Sequence, residues 1–219
     1  MEAVGVPVRR STRLLGRTAL SESAFELRID RPAGFSFQAG QSIRLYTGDE
    51  GRDYSLAGYP SAPTLLLVVR RIQGGAVSPA LAAAEPGSPL DLTGPHGVFT
   101  LKPSPRPVVL VGTGVGIAPF LSMTRGGAAG FTLLHGARSS DELFYRKELG
   151  AAAARYVPCL SRQGSEGCFS GRVTQWARAH LTPGAFDFYL CGGRAMVRDM
   201  ILLVDEWFPG SRVYTEIFF

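Results

Sequence analysis

The hydrophobic pattern of the chain changes at a proline-rich stretch, residues 102–107, and this change most limits the folds open to it. Before the stretch, short segments that fit β-strands are separated by glycines and prolines. After it, near-continuous apolar runs alternate with segments of helical length, which is typical of parallel strands covered on both faces. We therefore predict two domains, residues 1–102 and 107–219, and the chain is long enough to give each its own core.

The first domain is expected to be an antiparallel β-barrel, because its predicted strands are short and regularly spaced. These strands are residues 13–19, 24–29, 42–46, 53–57, 65–71 and 89–93. One short helix, residues 77–84, interrupts them. Ser78 followed by Pro79 predicts its start as a cap and a proline in the first turn.

The second domain is expected to be a doubly wound α/β domain with a parallel sheet. Its predicted strands are residues 108–111, 131–134, 156–160 and 186–190. Its predicted helices are residues 117–123, 142–154, 173–180 and 195–207. Ligands bind at the carboxyl ends of the strands in such sheets, so the residues that follow each strand are candidates for a binding site.

Composition excludes several classes of protein. Hydrophobic residues make up 45% of the chain and charged residues 19%, as in an ordinary globular protein. The net charge of +5 comes mostly from arginine, and it fits either a solvated surface or a face for an acidic partner. The basic residues are not interleaved with aromatics, so we expect no nucleic-acid binding.

No run fits a membrane helix or a secretory signal, so we expect a cytoplasmic protein without membrane insertion. Three cysteines (Cys159, Cys168 and Cys191) are too few for a disulfide framework or an iron–sulfur cluster, and no metal is expected.

Residues 52–55, with the sequence Arg-Asp-Tyr-Ser, form the first candidate binding segment. On a strand, residues two apart share a face, so Arg52 and Tyr54 can contact one ligand. The guanidinium suits a pyrophosphate and the phenol ring suits a fused ring system. Ser55 needs a bend at the end of the strand to reach the same ligand. The alternative is an ordinary strand with an Arg–Asp surface pair.

Two glycine-rich turns form the next candidates. Residues 74–78 offer backbone N–H groups to a phosphate at the start of a helix, although a plain hairpin turn is the alternative. Residues 112–119 follow a predicted strand and open a predicted helix, which is the context of a dinucleotide site. Their spacing differs from the usual Rossmann fingerprint, and a tight strand-to-helix turn is the alternative. Cys191 and Gly192 end another strand, where a single cysteine is otherwise a small core residue. The apolar tail, residues 213–219, is expected to pack into the structure.

In this order the segments resemble those of the ferredoxin–NADP reductase family, especially bacterial ferredoxin reductases and oxygenase reductases. The resemblance extends over residues 10–219 and depends on Glu216 and on six segments, which are residues 52–55, 74–78, 92–97, 112–119, 135–138 and 189–192. It implies an FAD-dependent NAD(P)H reductase with a barrel for FAD and an α/β domain for NAD(P).

The resemblance also implies a role for individual residues. Ser55, Cys191, Glu216 and Phe218 are implied at the reaction centre, with Ser55 at flavin N5 and Cys191 beside the nicotinamide. The implied FAD contacts are Arg52, Asp53, Tyr54, Ser55, Val69, Arg70, Arg71, Gly74, Gly75, Ala76, Val77 and Ser78. The implied nicotinamide dinucleotide contacts are Thr113, Gly114, Val115, Gly116, Cys191 and Gly192, with Ser161, Arg162 and Arg172 at the 2′-phosphate of NADPH.

The resemblance finally implies an activity and a partner. FAD would be bound tightly and reduced by NADPH, with NADH as the alternative coenzyme. Electrons would pass to a separate acidic one-electron carrier, which is ferredoxin, flavodoxin or an oxygenase component, because the chain lacks a cysteine-rich cluster segment. The rival interpretations are a free-flavin reductase, an NADH-using reductase component of an oxygenase, and a regulatory subunit without activity of its own. The sequence predicts no oligomeric state.

Overall fold

The computed structural model describes residues 8–162 and 164–218, the last without its side chain. The expected role of the Phe218 side chain therefore lies outside the described residues. The chain forms two compact units that divide between Thr100 and Leu101. None of the helices in the described ranges is long and apolar enough to span a membrane.

The first unit is an antiparallel barrel of six strands, as predicted. The strands are β1 (Arg10–Ala19), β2 (Ala24–Asp30), β3 (Ser42–Thr47), β4 (Glu50–Ser55), β5 (Thr64–Arg70) and β6 (Pro89–His96). Their order is β4-β3-β6-β1-β2-β5, and every neighbouring pair is antiparallel. A bridge between Leu56 and Leu67 joins the two outer strands and closes the barrel.

Helix α1 (Val77–Ala83) packs its apolar residues into the barrel core. Val77 and Leu81 of this helix are almost fully buried, in the same cluster as Leu27 and Leu45 of the strands. The prediction that Ser78 caps the helix is wrong, because the residue before the first turn is Ala76. The Ser78 hydroxyl instead accepts a hydrogen bond from the N–H of Ile72 at 3.0 Å.

The second unit contains a parallel sheet of six strands with helices along it, which confirms the doubly wound α/β domain. The strands are β7 (Val108–Thr113), β8 (Thr132–Ala137), β9 (Arg155–Leu160), β10 (Phe169–Ser170), β11 (Asp187–Gly193) and β12 (Arg212–Phe218). Their order is β10-β9-β8-β7-β11-β12. The helices are α2 (Ala118–Arg125), α3 (Arg146–Ala152), α4 (Val173–His180) and α5 (Arg194–Trp207).

Alternate residues of the strands pack against different helices. Val157 and Cys159 of β9 join the buried cluster that includes Trp176 of α4 and Met200 of α5. Tyr156 points to the opposite face, where it lies beside Gly150 of α3. Both faces of the sheet are therefore covered.

Local structure differs from the prediction at three places. Residues 142–154 do not form one helix, because Tyr145 adopts a left-handed conformation (φ 56°) between a 3₁₀ turn at Ser140–Glu142 and α3. The two-residue strand β10 was not predicted. The apolar tail was expected only to pack into the structure; it forms the edge strand β12, parallel to β11, and Ile217 stays exposed.

The segment that joins the units is attached to the second one. The N–H of Lys102 donates to the hydroxyl of Tyr189 at 2.9 Å. The guanidinium of Arg106 lies 3.8 Å from the carboxylate of Asp187, which is fully buried. Neither carboxylate oxygen of Asp187 has a hydrogen-bond partner among the described residues.

Candidate functional site

Strand β4 places Arg52 and Tyr54 on one face. Arg52 is paired with Leu45 and Tyr54 with Ile43, and both β3 residues point into the barrel core. Directly opposed residues of an antiparallel pair share a face, so Arg52 and Tyr54 lie on the same side, as their spacing predicts. The Tyr54 ring packs against the core, and the guanidinium of Arg52 is exposed.

Asp53 and Ser55 point to the other side of β4. Asp53 is opposite Arg44 and forms an exposed ion pair with it, with 3.2 Å between Nη1 and Oδ2. The Arg–Asp pair that was the alternative therefore involves Arg44 and not Arg52. Ser55 is buried opposite Ser42 at the last residue of the strand. The structure thus brings together Arg52 and Tyr54, but not Asp53 or Ser55, on one face.

The hydroxyl of Tyr54 stays protonated at neutral pH. Burial raises the pKa of Tyr54 to about 12, although the nearby charge of Arg52 acts in the opposite direction. A phenol in this state keeps its hydrogen for donation, and its ring remains a neutral surface.

The turn before α1 exposes backbone more than side chains. The N–H of Gly75 donates to the carbonyl of Ile72 at 3.1 Å, and Gly74 has a φ of 71°, which glycine adopts readily. The side chains of Val77 and Ser78 are buried. The segment can therefore offer N–H groups to an anion while its own side chains hold it in place.

The three residues predicted to contact the adenosine half of FAD differ in burial and in their neighbours. Val69 is fully buried in the barrel core, so that only its backbone is available to a ligand. Arg70 is exposed at the end of β5. The guanidinium of Arg71 lies 5.2 Å from the ring centroid of Phe25.

The parallel sheet has a topological switch point between β7 and β11. From β7 the chain proceeds outward through β8, β9 and β10, and it then returns to form β11 and β12 on the other side. In open α/β sheets a crevice forms at this point, at the carboxyl ends of the two strands. Thr113 is the last residue of β7 and the 3₁₀ turn Gly114–Ile117 follows it there, and Cys191 and Gly192 lie in the last three residues of β11.

Glycines allow the backbones to meet at this crevice. A side chain on Gly116 would collide with the carbonyl oxygen of Cys191 and would lie 2.6 Å from the Cα of Gly192. Gly192 has a φ of 143°, and a side chain there would lie 3.1 Å from the carbonyl oxygen of Thr113. The two glycines therefore allow the turn after β7 and the hydroxyl of Thr113 to pack directly against the backbone at the end of β11.

Cys191 is a buried thiol next to a carboxylate. It is paired with Glu216 across β11 and β12 and is fully buried. Burial raises the pKa of Cys191 well above its usual value, and the charge of Glu216 raises it further. Because the thiolate is the nucleophilic form, this cysteine is a neutral packing group and not a nucleophile.

Arginines gather at the carboxyl ends of the outer strands. Ser161 and Arg162 follow β9, and the N–H of Arg162 donates to the carbonyl of Arg138 at 3.2 Å. Ser170 of β10 is paired with Leu160 of β9, and Arg172 follows two residues after β10 as the residue that precedes α4. Arg138 belongs to the segment 135–138 but was not predicted as a ligand contact. Its position directly after β8, at the carboxyl end of a parallel strand, was the feature that marks it as a candidate contact.

His135 is a buried, neutral imidazole in β8. Its Nδ1 lies 2.9 Å from the hydroxyl of Tyr156, and its Nε2 has no partner among the described residues. Burial, together with the smaller effect of the charge of Arg146, lowers the pKa of His135 to about 3. The imidazole therefore contributes packing and one hydrogen bond at neutral pH.

Acid should destabilise the second unit through His135. The unfolded imidazole binds a proton below about pH 6.5 whereas the folded one resists it down to about pH 3, so stability present above pH 6.5 is lost as the pH falls. Between pH 7 and pH 5 we expect a loss of about 2 kcal/mol in the free energy of unfolding. Urea titrations followed by tryptophan fluorescence report on this unit, because Trp176 and Trp207 both belong to it.

His135→Gln should remove most of this pH dependence, and the exposed His180→Gln is the matched control. Equal pH slopes for wild type and H135Q would contradict the assignment.

Two family models match the chain along most of its length. Residues 12–101 match the oxidoreductase FAD-binding domain. Residues 110–201 match the oxidoreductase NAD-binding domain. The two matches fall in the first and the second unit respectively.

Curated relatives are reductases. The chain is 40% identical over 187 residues to "Ferredoxin--NADP reductase B" of Sorangium cellulosum, which covers 77% of the chain and 75% of that protein. It is 32% identical to the "Toluate 1,2-dioxygenase electron transfer component" of Pseudomonas putida and 31% identical to the reductase component of propane 2-monooxygenase of Mycolicibacterium smegmatis. These matches cover 81% and 89% of the chain. The chain spans 58% and 63% of those two proteins, which is less than two thirds of each.

Solved structures share the fold over nearly the whole chain. A cytochrome P450 reductase of Amycolatopsis has a TM-score of 0.85 and 26% identity, with 97% of this chain and 71% of that one covered. A ferredoxin NADP+ reductase of Neisseria gonorrhoeae, solved with bound FAD and NADP, has a TM-score of 0.82 and 25% identity over 96% of this chain and 99% of that one.

Proposed function

The chain belongs to the ferredoxin–NADP reductase family and is a flavin-dependent NAD(P)H oxidoreductase, and we propose that it oxidises NADPH and passes the electrons to a separate protein carrier. The observation that carries this proposal is the switch point between β7 and β11, where glycines let the turn after β7 pack against the end of β11, in a chain whose first unit matches an FAD-binding domain. FAD held in this unit would supply hydride acceptance from the nicotinamide and release of single electrons.

In the first unit, Arg52 and Tyr54 fit the two chemically different parts of FAD. The exposed guanidinium of Arg52 is held by Glu50 at 3.3 Å, a surface ion pair that costs little to exchange for a pyrophosphate. The Tyr54 ring is fixed by the core and is neutral, so it presents a flat surface to the isoalloxazine. Ser55 is proposed as the hydrogen-bond donor to N5, and the end of β4 at this residue supports the necessary bend.

The turn at residues 72–78 is proposed to hold the FAD pyrophosphate by its backbone N–H groups. Gly74 and Gly75 have no side chain to block a phosphate, and Ala76 adds only a methyl group. Arg70 and Arg71 are proposed along the adenosine half, with only the backbone of Val69 beside them. Asp53 is proposed to act through its ion pair with Arg44, which fixes the β3–β4 edge.

In the second unit, the backbone of residues 113–116 is proposed to receive the phosphates of the nicotinamide dinucleotide. Cys191 and Gly192 border the same crevice, and the protonated thiol offers the nicotinamide a neutral surface. Glu216 and Phe218 of β12 are proposed beside the reaction centre. Burial, with the charge of Glu216 acting in the same direction, raises the pKa of Cys191 and keeps the thiol protonated, which protects the site from thiolate chemistry.

NADPH is proposed as the preferred coenzyme because arginines gather where its 2′-phosphate would lie. Arg162 and Arg172 each lie two residues beyond the ends of the neighbouring strands β9 and β10, and Ser161 precedes Arg162 with a hydroxyl. Guanidinium groups bind a phosphate dianion in bidentate contact, whereas NADH offers two hydroxyls at this place.

The electron acceptor is proposed to be an acidic one-electron carrier, such as ferredoxin or flavodoxin, or an oxygenase component. The names of the relatives include ferredoxin reductases and dioxygenase or monooxygenase reductase components. The net charge of +5 favours an acidic partner, and complementary charge speeds such encounters.

Rapid mixing tests the proposed function. The purified protein should be yellow, and anaerobic NADPH should bleach its flavin absorbance faster than NADH does. Addition of an oxidised ferredoxin or flavodoxin should then restore the absorbance. A protein that is colourless after loading with FAD, or one that NAD(P)H leaves oxidised, would overturn the proposal.

The same preparation tests the rival functions. A free-flavin reductase would release its flavin on gel filtration, whereas this protein should retain it. A regulatory subunit would not reduce ferricyanide with NADPH on its own, whereas this chain should do so without a partner.

A further inference from the structure

We propose that Arg17 is a positioning residue that holds α1, and through it the turn at residues 72–78, in the conformation that receives the adenosine diphosphate half of FAD. The inference rests on the proposed function, because it takes that turn as the pyrophosphate site. Arg17 lies in β1, far in sequence from every segment that the family motifs single out.

A β-bulge places Arg17 on the same face of β1 as the core residues, although its side chain stays exposed. Leu14 of β1 is paired with Ile29 of β2, and the register then shifts so that Gly16 is paired with Arg28 and Arg17 with Leu27. Leu14 and Leu27 are both buried in the core, so Arg17 shares the inner face with them although it lies three residues from Leu14. In a regular strand, residues three apart point to opposite faces, so the extra residue re-aims the guanidinium.

The re-aimed guanidinium contacts the carboxyl end of α1. Its Nη1 donates to the carbonyl oxygen of Leu81 at 3.2 Å and to that of Ala84 at 3.3 Å. Carbonyls at the end of a helix have no partner within the helix, and a cation satisfies them well.

The helix has no cap of its own at this end. Its last turn contains no basic residue, and its sequence around the end is Ala82, Ala83 and Ala84. Arg17 thus supplies from a distant strand the charge that a helix of this kind ordinarily carries near its end.

The other end of α1 is joined rigidly to the turn. The hydroxyl of Ser78, in the first turn of α1, accepts the N–H of Ile72, and Gly75 donates to the carbonyl of Ile72. The turn and the helix therefore behave as one body, and Arg17 anchors that body to β1. A shift of α1 would move the N–H groups of residues 74–77 away from a bound pyrophosphate.

This arrangement predicts a selective effect on flavins. FAD has an adenosine diphosphate half that would contact the turn, whereas FMN ends at its first phosphate. Loss of Arg17 should weaken FAD and affect FMN little, whereas general damage to the barrel should weaken both.

The experiment uses the full chain, stripped of flavin and titrated separately with FAD and FMN. Arg17→Met should weaken FAD about tenfold, the effect of removing one charge-assisted hydrogen-bonding group, and should change FMN less than about twofold. Arg17→Lys keeps the charge and should recover most of the FAD affinity. Arg13→Met is the matched control, because Arg13 lies on the same strand and only pairs with Asp30 at the surface.

A readout without flavin separates this inference from the proposed function. In the flavin-free chain, R17M should speed hydrogen exchange at the amides of residues 81–84, and R13M should not. Equal losses for FAD and FMN, or unchanged exchange in α1, would overturn the role of Arg17. Failure of the wild-type chain to bind FAD would instead refute the proposed function while leaving the exchange result interpretable.

Discussion

Replacing Gly192 by alanine should nearly abolish reduction of the flavin by NADPH while leaving the FAD content of the protein unchanged. Gly192 has a φ of 143°, and a Cβ there would lie 3.1 Å from the carbonyl oxygen and 3.2 Å from the backbone nitrogen of Thr113. Backbone strain and overpacking together cost about 3 kcal/mol. When this cost opposes nicotinamide binding at the crevice, it corresponds to roughly a hundredfold loss in the rate of flavin reduction. Stopped-flow measurement of flavin bleaching gives this rate directly.

The neighbouring glycine supplies the control for this substitution. Gly193 has an ordinary φ of −65°, and a Cβ on it would meet no atom within 4 Å. Gly193→Ala should therefore reduce the flavin at close to the wild-type rate. If G192A and G193A behaved alike, the close approach of β11 to Thr113 could not be what shapes the nucleotide site.

Replacing both Arg162 and Arg172 by alanine should remove the proposed preference for NADPH and leave a protein that no longer distinguishes the two coenzymes. Each arginine can make a charge-assisted hydrogen bond with the 2′-phosphate, and each such contact contributes about 1.5–3 kcal/mol. The double variant should therefore raise the KM for NADPH by roughly a hundredfold or more and leave that for NADH nearly constant. Steady-state reduction of ferricyanide with each coenzyme measures both values.

Arg178→Ala is a suitable control for the double variant. Arg178 lies in the last turn of α4 and stacks on Trp207, with 4.7 Å between the guanidinium carbon and the ring centroid. The R178A substitution removes one positive charge from the same unit and leaves the carboxyl ends of the strands unchanged. Parallel losses for NADPH and NADH in the double variant would show that the arginines serve the dinucleotide as a whole and not its 2′-phosphate.

The architecture of both units could be predicted because it depends on pattern over many residues. The alternation of short strands and turns predicted the barrel, and the buried runs of β7, β8, β9 and β11 predicted the parallel sheet. The places where prediction failed depend on the backbone of only one or two residues. Tyr145 interrupts a helical pattern by one left-handed residue, and β10 is too short to produce a period.

The candidate site could be predicted only as far as residue types and spacing allow. The common face of Arg52 and Tyr54 follows from the strand period, whereas the pairing of Asp53 with Arg44 requires the register of β3 against β4. The contact of Arg17 with α1 was not predictable for the same reason, because it depends on a bulge between two strands. The crowding of Gly116 against Cys191 joins residues far apart in the chain, and it appears only when β7 and β11 are neighbours.

The attachment of Lys102 and Arg106 to β11 determines where the chain can be cut into functional halves. A nucleotide-binding fragment that began at Pro107 would lose the cation 3.8 Å from Asp187 and leave a lone carboxylate buried in the sheet, which costs several kcal/mol. A fragment that begins at Leu101 keeps both this ion pair and the hydrogen bond to Tyr189. Domain exchange between reductases of this kind should therefore place its junction ahead of the proline-rich stretch and not behind it.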